Sequence, residues 1–221
     1  MNLVHRHQSI KDNKTQPRDS AMNKLIDLMI CAQAVLLNKI KLLDFTAPLL
    51  IRIYLAPIFI YAGWGKLSDL ESTAYYFGEF LGLPLPDLMA FLAGATEFFG
   101  GIAILIGFAT RWFSIPLMIT MIVAAVTAHW GNGWHALPET TLTVPWEWRT
   151  DLINDAIQRR DVARELLQQH GNYDWLTSAG SITILKNGIE FAATYFIMLL
   201  PLLFFGAGRA SVDHLLRKKF M

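Results

Sequence analysis

The chain has 221 residues, of which 53% are apolar and 17% are charged, and its formal net charge is +1. Soluble globular domains carry charges at roughly 25% of their positions, so this composition argues against a soluble all-helical domain with the same helices buried. A net charge so close to zero gives no indication of nucleic-acid binding.

The amino-terminal region has two parts. Residues 1–20 are polar and contain no apolar run that could serve as a signal peptide, which predicts a disordered cytoplasmic tail. Residues 21–45 repeat apolar side chains at helical spacing and predict an amphipathic helix in the membrane interface. The alternative is a leader helix packed under the bundle. Cys31, the single cysteine, lies on the apolar side and is interpreted as structural.

Four stretches are long and apolar enough to cross a hydrocarbon core of about 30 Å, which requires roughly 20 helical residues. They cover residues 47–66, 88–111, 112–130 and 188–208. The predicted fold is therefore all-α. It is a polytopic membrane protein with a four-transmembrane-helix bundle over residues 46–208, an amino-terminal interfacial helix and a helical outer-loop insertion at 131–187.

Positive charges indicate the orientation of these spans, because Lys and Arg near span ends are retained on the cytoplasmic side. Lys39 and Lys41 precede the first span, Arg111 lies between the second and third, and residues 209–221 form a basic tail. The loop 67–87 contains carboxylates but no Lys or Arg. We therefore expect both termini in the cytoplasm and a multi-pass location in the bacterial inner membrane.

The insertion 131–187 is too long to be a plain connection. Its middle, 148–170, has apolar residues at helical spacing with Arg and Asp on the other face, and Gly171 is suited to cap the helix. This pattern predicts a cap over the outer mouth of the bundle. The aromatic residues of the region are Trp130, Trp134, Trp146, Trp148, Tyr173 and Trp175. They fit either interfacial anchoring or a binding surface.

Two charged residues fall inside predicted spans. Arg52 lies roughly 9 Å from the cytoplasmic edge, and Glu97 lies about 14 Å from the outer edge, near the midplane. A lone charge at that depth costs several kcal/mol, so we expect Glu97 to be protonated or paired with Arg52. Two interpretations are possible: Arg52 and Glu97 form a buried ion pair that holds the first two spans together, or they handle protons.

A second set of polar residues falls at one estimated height in the outer half. Lys66 ends the first span, His129 lies near the outer end of the third, and Glu190 lies near the start of the fourth, with Asn187 at the same level. A base, an acid and an imidazole could bind the head group of a quinone and handle its protons. Ordinary anchoring at span ends explains the same residues individually. The sequence assigns no catalytic residue and no metal ligand set.

Four segments together resemble one family. They are the stretch from Arg52 to Lys66 (RIYLAPIFIYAGWGK), GLPLP at 82–86, EFFGG at 97–101 and GFATR at 107–111. This ordered set resembles the DoxX family of small four-helix membrane proteins. The long insertion departs from the short-looped family form. Its end, 170–181 with 187–195, is similar to the HvfX-type branch.

The resemblance implies a membrane role, and quinone is the cofactor that it suggests. Some DoxX-type proteins are associated with quinone-coupled sulfur oxidation as subunits of a larger oxidoreductase, so this chain is expected to be an accessory protein in membrane redox chemistry. The HvfX-type branch is associated with maturation of copper-binding modified peptides, which suggests a non-catalytic scaffold or maturation partner instead. A transporter would require oligomers, because four spans are few for a translocation path.

Direct copper binding is not expected, because the predicted spans contain no Cys-rich or Met-rich ladder. His129, His135 and His170 lie on the predicted outer side, where imidazole makes a copper site conceivable. Whether the chain is itself an enzyme is not decided by the resemblance.

Overall fold

The computed structural model describes residues 17–220, and within this range every regular element is helical. The chain divides into two units, Met1–Asp44 and Phe45–Met221, and each is described by itself. In the first unit, helix α1 covers Pro17–Ile40 and a 3-10 turn follows at Lys41–Leu43.

Helix α1 begins within the stretch predicted to be a disordered tail. Proline is favoured at the first helical position, where its missing N–H has no intrahelical partner to lose, so Pro17 is a suitable starting residue. The remainder of the predicted tail, residues 1–16, lies outside the described residues.

The second unit contains the membrane bundle. Its first half comprises α2 (Thr46–Ser68), α3 (Leu70–Tyr75) with a π-helical turn at Tyr76–Phe80, and α4 (Pro86–Ile106). Helix α5 (Thr110–Ala124) continues through a π-helical turn at Ala125–His129 and a 3-10 turn at Trp130–Asn132. The insertion carries α6 (Asp151–His170) and α7 (Tyr173–Leu176), and α8 (Glu190–Phe205) and α9 (Val212–Phe220) complete the chain.

Among residues 17–220, three helical stretches are long and apolar enough to cross a membrane: Thr46–Ser68, Pro86–Ile106 and Thr110–Asn132. Each corresponds to a predicted span. Helix α8 is equally apolar but has only 16 residues, or about 24 Å of helix against a core of about 30 Å. Gly206 has a positive φ and ends α8 before the predicted boundary at residue 208, so a fourth full span is not confirmed.

The helices pack in an antiparallel arrangement, with α2 against α4, α5 against α8, and α4 against α5. Leu55, Phe59, Ile104, Leu117 and Leu199 lie in the common core. Large apolar side chains on the opposite faces are exposed, which is the distribution expected where hydrocarbon replaces water as solvent.

Helices α2 and α4 approach closely because both carry glycine at the crossing. A Cβ atom on Gly63 would clash with the backbone nitrogen of Phe98 and would lie 2.7 Å from the carbonyl oxygen of Gly94. Small residues permit this backbone proximity in membrane helix pairs. The close crossing brings the end of α2 beside the middle of α4.

Candidate functional site

The close crossing of α2 and α4 brings together Lys66 and Glu97. Lys66 Nζ donates a hydrogen bond of 2.5 Å to Glu97 Oε2, while the Glu97 side chain is 6% exposed and that of Lys66 is 27% exposed. The rings of Trp64 and Phe98, on the same two helices, lie 5.8 Å apart. The site therefore has a buried carboxylate and a partly accessible amine.

Arg52 occupies the other end of the bundle, where α4 and α8 terminate; we call this the terminal end. Its guanidinium is buried, with the residue 2% exposed, and donates to four backbone carbonyls. These belong to Ile104 (2.7 Å), Leu105 (2.6 Å), Ala207 (2.9 Å) and Ala210 (2.7 Å). The last carbonyls of a helix lack intrahelical donors, and Arg52 donates to two of those in α4, at Ile104 and Leu105, and to two carbonyls beyond α8.

The predicted Arg52–Glu97 pair is therefore wrong. Glu97 binds Lys66, whereas Arg52 binds backbone carbonyls near the end of α4 and beyond α8. Estimated depth along a helix gives only a height, and Lys66 lies close enough to the midplane for its flexible side chain to reach the carboxylate.

Asp213 organises the same terminal end. Its two carboxylate oxygens accept hydrogen bonds from the backbone nitrogens of Ala109 (2.7 Å) and Thr110 (3.0 Å), where α5 begins. Negative charge is favourable at a helix amino terminus because the first N–H groups are unpaired. Arg52 and Asp213 together give this end a structural role in holding helix termini.

At the opposite end, which carries the insertion and is called the insertion end, His129 and Asn187 are in contact. His129 Nδ1 lies 3.0 Å from the carbonyl oxygen of Asn187, and Asn132 Nδ2 donates to the same oxygen at 3.2 Å. A carbonyl can only accept, so His129 donates from Nδ1. Asn187 thus contributes its backbone, at a positive φ of 61°, to this contact.

Glu190 begins α8 and faces the first part of the insertion. Its Oε2 accepts a hydrogen bond of 2.9 Å from Ala136 N and lies 3.7 Å from His135 Nδ1. Backbone hydrogen bonds also join the two ends of the insertion, from Gly188 N to His135 O and from Glu190 N to Trp134 O, both at 2.9 Å. The entrance to α8 is therefore fixed against residues 133–136.

The residues of the predicted outer cluster fall into two groups. Within residues 17–220, no hydrogen bond or ion pair links Lys66 to His129, Asn187 or Glu190. Lys66 joins Glu97 between α2 and α4, whereas the other three lie where the insertion meets α5 and α8. The four residues were grouped because their estimated depths in the membrane are equal, but depth does not show which neighbouring helix each side chain faces.

A buried ionic cluster within the insertion was missed by sequence reasoning. Lys186 Nζ lies 2.6 Å from Glu147 Oε2 and 3.8 Å from Glu139 Oε1, and His135 Nε2 lies 3.1 Å from Glu139 Oε2. The only sequence signal was carboxylates near one end of the insertion and a lone Lys near the other. His135, Glu139 and Glu147 are also of residue types that bind metal ions.

The carboxylate of Glu147 is held in its ionised form. Burial alone would raise its pKa, but hydrogen bonds from Lys186 Nζ and from the backbone nitrogens of Arg149 and Trp134 outweigh that effect. The pKa is lowered from 4.5 to about 2. Because the ammonium of Lys186 and two backbone nitrogens all donate to it, the carboxylate is charged at neutral pH.

The predicted aromatic residues of the insertion form paired contacts. Trp130 and Trp148 stack with ring centroids 4.6 Å apart, and Trp148 Nε1 donates to the carbonyl oxygen of Trp130 at 3.2 Å. Trp134 and Trp146 meet edge to face at 5.8 Å. Anchoring and binding both remain interpretations of this surface.

Comparison with known proteins identifies the bundle. The DoxX family model matches residues 47–130. "Putative oxidoreductase CatD" from Bacillus subtilis (strain 168) is 34% identical over 79 residues, which is 36% of this chain and 57% of that protein. "Inner membrane protein YqjF" from Escherichia coli (strain K12) is 42% identical over 71 residues, or 32% of this chain and 52% of the relative.

"Inner membrane protein YphA" from the same E. coli strain is 32% identical over 98 residues, which is 42% of this chain and 69% of that protein. The matched region spans little more than half the length of the first two relatives. No solved structure matches the chain. The residues that the family model matches cover the apolar helices α2, α4 and α5. The chain is a membrane protein and belongs to the DoxX family.

Proposed function

We propose that the protein is an accessory component of inner-membrane redox chemistry in which Lys66 and Glu97 bind the head group of a lipid-soluble quinone. The names of two relatives support a location in the inner membrane, and the name of a third supports a role in redox chemistry. The observation that carries the proposal is the 2.5 Å ion pair between the predominantly apolar helices α2 and α4.

The pair has the donors that a quinone head group needs. Lys66 carries three N–H donors, of which Glu97 uses one, so the ammonium can also donate to a quinone carbonyl. Reduction of a quinone to a quinol takes two electrons and two protons. A partner oxidoreductase would supply the electrons, while Lys66 and Glu97 would supply or relay protons at the carbonyl oxygens.

The surroundings of the pair favour a planar ligand. The rings of Trp64 and Phe98 meet across α2 and α4, the two helices that carry the pair, and Trp64 is exposed on the surface of the bundle. A quinone diffusing in the hydrocarbon could approach this surface without entering water. The greater exposure of Lys66 than of Glu97 makes the amine the first group that such a ligand would meet.

The test measures quinone retained by the full chain extracted into native nanodiscs. Lys66→Met should lower the molar ratio of quinone to protein about tenfold, the effect of losing a charged hydrogen bond worth roughly 1.5 kcal/mol. Lys218→Met removes an exposed charge from α9 and Glu71→Gln removes one from α3, and both should retain the wild-type ratio. Equal quinone content in Lys66→Met and the two controls would contradict the proposal.

A second function is supported by the insertion. Helix α6 carries surface ion pairs of both signs, Arg159 with Asp155 and Arg160 with Asp161, beyond the region that the family model matches. A scaffold or maturation partner for a copper-binding modified peptide, as in the HvfX-type branch, would use such a surface. Cross-linking of a purified copper-binding precursor peptide to α6, lost when Arg159 and Arg160 become Glu, would favour this function over quinone binding.

A further inference from the structure

Three potential metal ligands converge in the first part of the insertion. One ligand atom from each of His135, Glu139 and Glu147 lies within 4.8 Å of the other two. Bonds from Zn²⁺ to nitrogen or carboxylate oxygen are about 2.0–2.2 Å, so ligand atoms around a tetrahedral ion lie roughly 3.4 Å apart. Rotation of the three side chains, with separations shortened by up to about 1.4 Å, would bring all three into coordination.

One oxygen of Glu139 is buried without a hydrogen bond. Oε2 accepts from Thr143 N at 3.2 Å and from Thr143 Oγ1 at 2.6 Å, whereas Oε1 has no hydrogen-bond partner. The side chain is 6% exposed, and Lys186 Nζ is 3.8 Å from Oε1, too far for a hydrogen bond. A buried acceptor without a donor is costly, and a bound cation would remove that cost.

The charges around this oxygen do not balance. Glu139, Glu147 and Glu190 bring three negative charges close to His135 and Lys186, and Lys186 provides one positive charge. The three carboxylates and the one ammonium sum to a net charge of about −2, which a divalent cation would neutralise.

The orientation of His135 suits metal coordination. Its Nδ1 faces Glu190 Oε2 at 3.7 Å, while Nε2 lies 3.1 Å from Glu139 Oε2 and 3.0 Å from Thr143 Oγ1. Metal-binding histidines commonly present one ring nitrogen to the ion and the other to a carboxylate that orients the ring. A small shift of the ring that closes the 3.7 Å gap to a hydrogen bond would make Glu190 a positioning residue, and Nε2 would exchange its contact with Thr143 Oγ1 for the ion.

We propose that His135, Glu139 and Glu147 bind a divalent transition cation, with Zn²⁺ as the best-matched ion. One imidazole and two carboxylates are ligands that Zn²⁺ accepts, and three protein ligands leave a fourth position for water. Through Glu190, the ion would stabilise the contact between residues 133–136 and the first turn of α8. The site is separate from Lys66 and Glu97.

The test is Zn²⁺ titration of the full chain, purified in detergent with a tag that contains no histidine and stripped with a chelator. The wild type should bind about one Zn²⁺ per chain at saturation, and its melting temperature should rise with Zn²⁺ concentration because the ion binds only the folded state. Absence of saturable one-to-one binding in the wild type overturns the proposal, whatever the variants do.

Variants assign the binding to these residues. His135→Ala and Glu139→Gln should each weaken Zn²⁺ binding at least about tenfold, equivalent to 1.4 kcal/mol. His170→Ala and Glu165→Gln alter exposed residues of α6 and should bind as the wild type does. Equal affinity in all four variants, or a greater loss in the α6 pair, would contradict the site. Unchanged quinone content in Glu139→Gln would separate this site from the proposed redox function.

Discussion

Lys66 Nζ lies 2.5 Å from Glu97 Oε2, and this ion pair joins α2 to α4 within the apolar bundle. The ion pair depends on the close crossing of the two helices, because Gly63 permits the backbone approach that brings the two charges together. Charges in a bilayer interior are tolerated when paired and facing other helices. The stability of the bundle should therefore depend on both residues being present.

Removing either partner leaves the other charge uncompensated. Lys66→Met and Glu97→Gln should each lower the free energy of unfolding by about 3 kcal/mol, and the double variant should recover part of the loss. Unfolding with denaturant in mixed micelles measures the three values. Losses that simply add would show that the two side chains do not stabilise each other, and Glu71→Gln on α3 should change the free energy little.

Arg52 cannot be replaced by the other long cation. Lysine has three donors on one nitrogen, whereas the planar guanidinium reaches four carbonyls that lie near the end of α4 and beyond α8. Arg52→Lys should lower the free energy of unfolding by about 2–3 kcal/mol, measured by the same denaturant series. Arg111→Lys, which alters a single hydrogen bond to Phe204 O, should cost much less.

Arg52 and Glu97 make no direct contact, and this can be tested by combining substitutions at both positions. Since they share no partner, the losses in Arg52→Met and Glu97→Gln should add in the double variant. Recovery of stability in that double variant would instead show that Arg52 and Glu97 stabilise each other as an ion pair.

The spans were readable from sequence because hydropathy and length determine which helices suit a bilayer. Which charged residues pair with each other could not be predicted from sequence. Arg52 and Lys66 share a face of α2, so either could meet α4, and only the antiparallel packing places Lys66 at the level of Glu97. Arg52 instead meets Ile104, seven residues or about 10 Å further along α4.

The partners of Arg52 and His129 are backbone carbonyls, and residue types do not reveal which carbonyls a fold leaves free. The cluster of Glu139, Glu147 and Lys186 was hidden for another reason. Lys186 and Glu147 are separated in sequence by all of α6 and α7, and their 2.6 Å contact exists only because both ends of the insertion return to one place. No local spacing encodes that return.

Gly63 and Gly65 provide a matched pair for testing the crossing of α2 and α4. A Cβ on Gly63 would meet the backbone of Phe98 and Gly94, which cannot move without separating the helices, whereas a Cβ on Gly65 would meet no atom within 4 Å. Gly63→Ala should destabilise the bundle by about 2 kcal/mol or more, while Gly65→Ala should be neutral or slightly stabilising. The melting temperatures of the two variants are measured in the same detergent, and equal values would contradict the close crossing of α2 and α4.

The Lys186–Glu147 pair should give the insertion a defined pH dependence. The folded-state pKa of Glu147 is about 2, below its ordinary value of 4.5, so its stabilising charge is fully present above about pH 4.5 and is lost as the pH falls towards 2. Glu147→Gln should therefore have a lower melting temperature than the wild type at pH 7, and the difference should shrink below pH 4.5.

Other carboxylates titrate over the same range, so the difference between the two proteins is the informative quantity. Glu165→Gln provides the exposed control on α6 and should follow the wild type at every pH. A wild-type advantage that stayed constant from pH 7 to pH 3 would show that the charge of Glu147 does not stabilise the fold.

The orientation of the bundle is predicted from charge and is tested by reporter fusions. Positive residues precede α2 in the sequence, and Arg111 and the basic residues of α9 lie at the terminal end, whereas the connection from α2 to α4 has only acidic charges. Because positive segments are retained in the cytoplasm, alkaline phosphatase fused after Phe220 should be inactive. The same enzyme inserted at Gly180, where a side chain would meet no neighbour, should be active. A fluorescent protein that folds only in the cytoplasm should give the reverse pattern, and activity of phosphatase at Phe220 with none at Gly180 would invert the orientation.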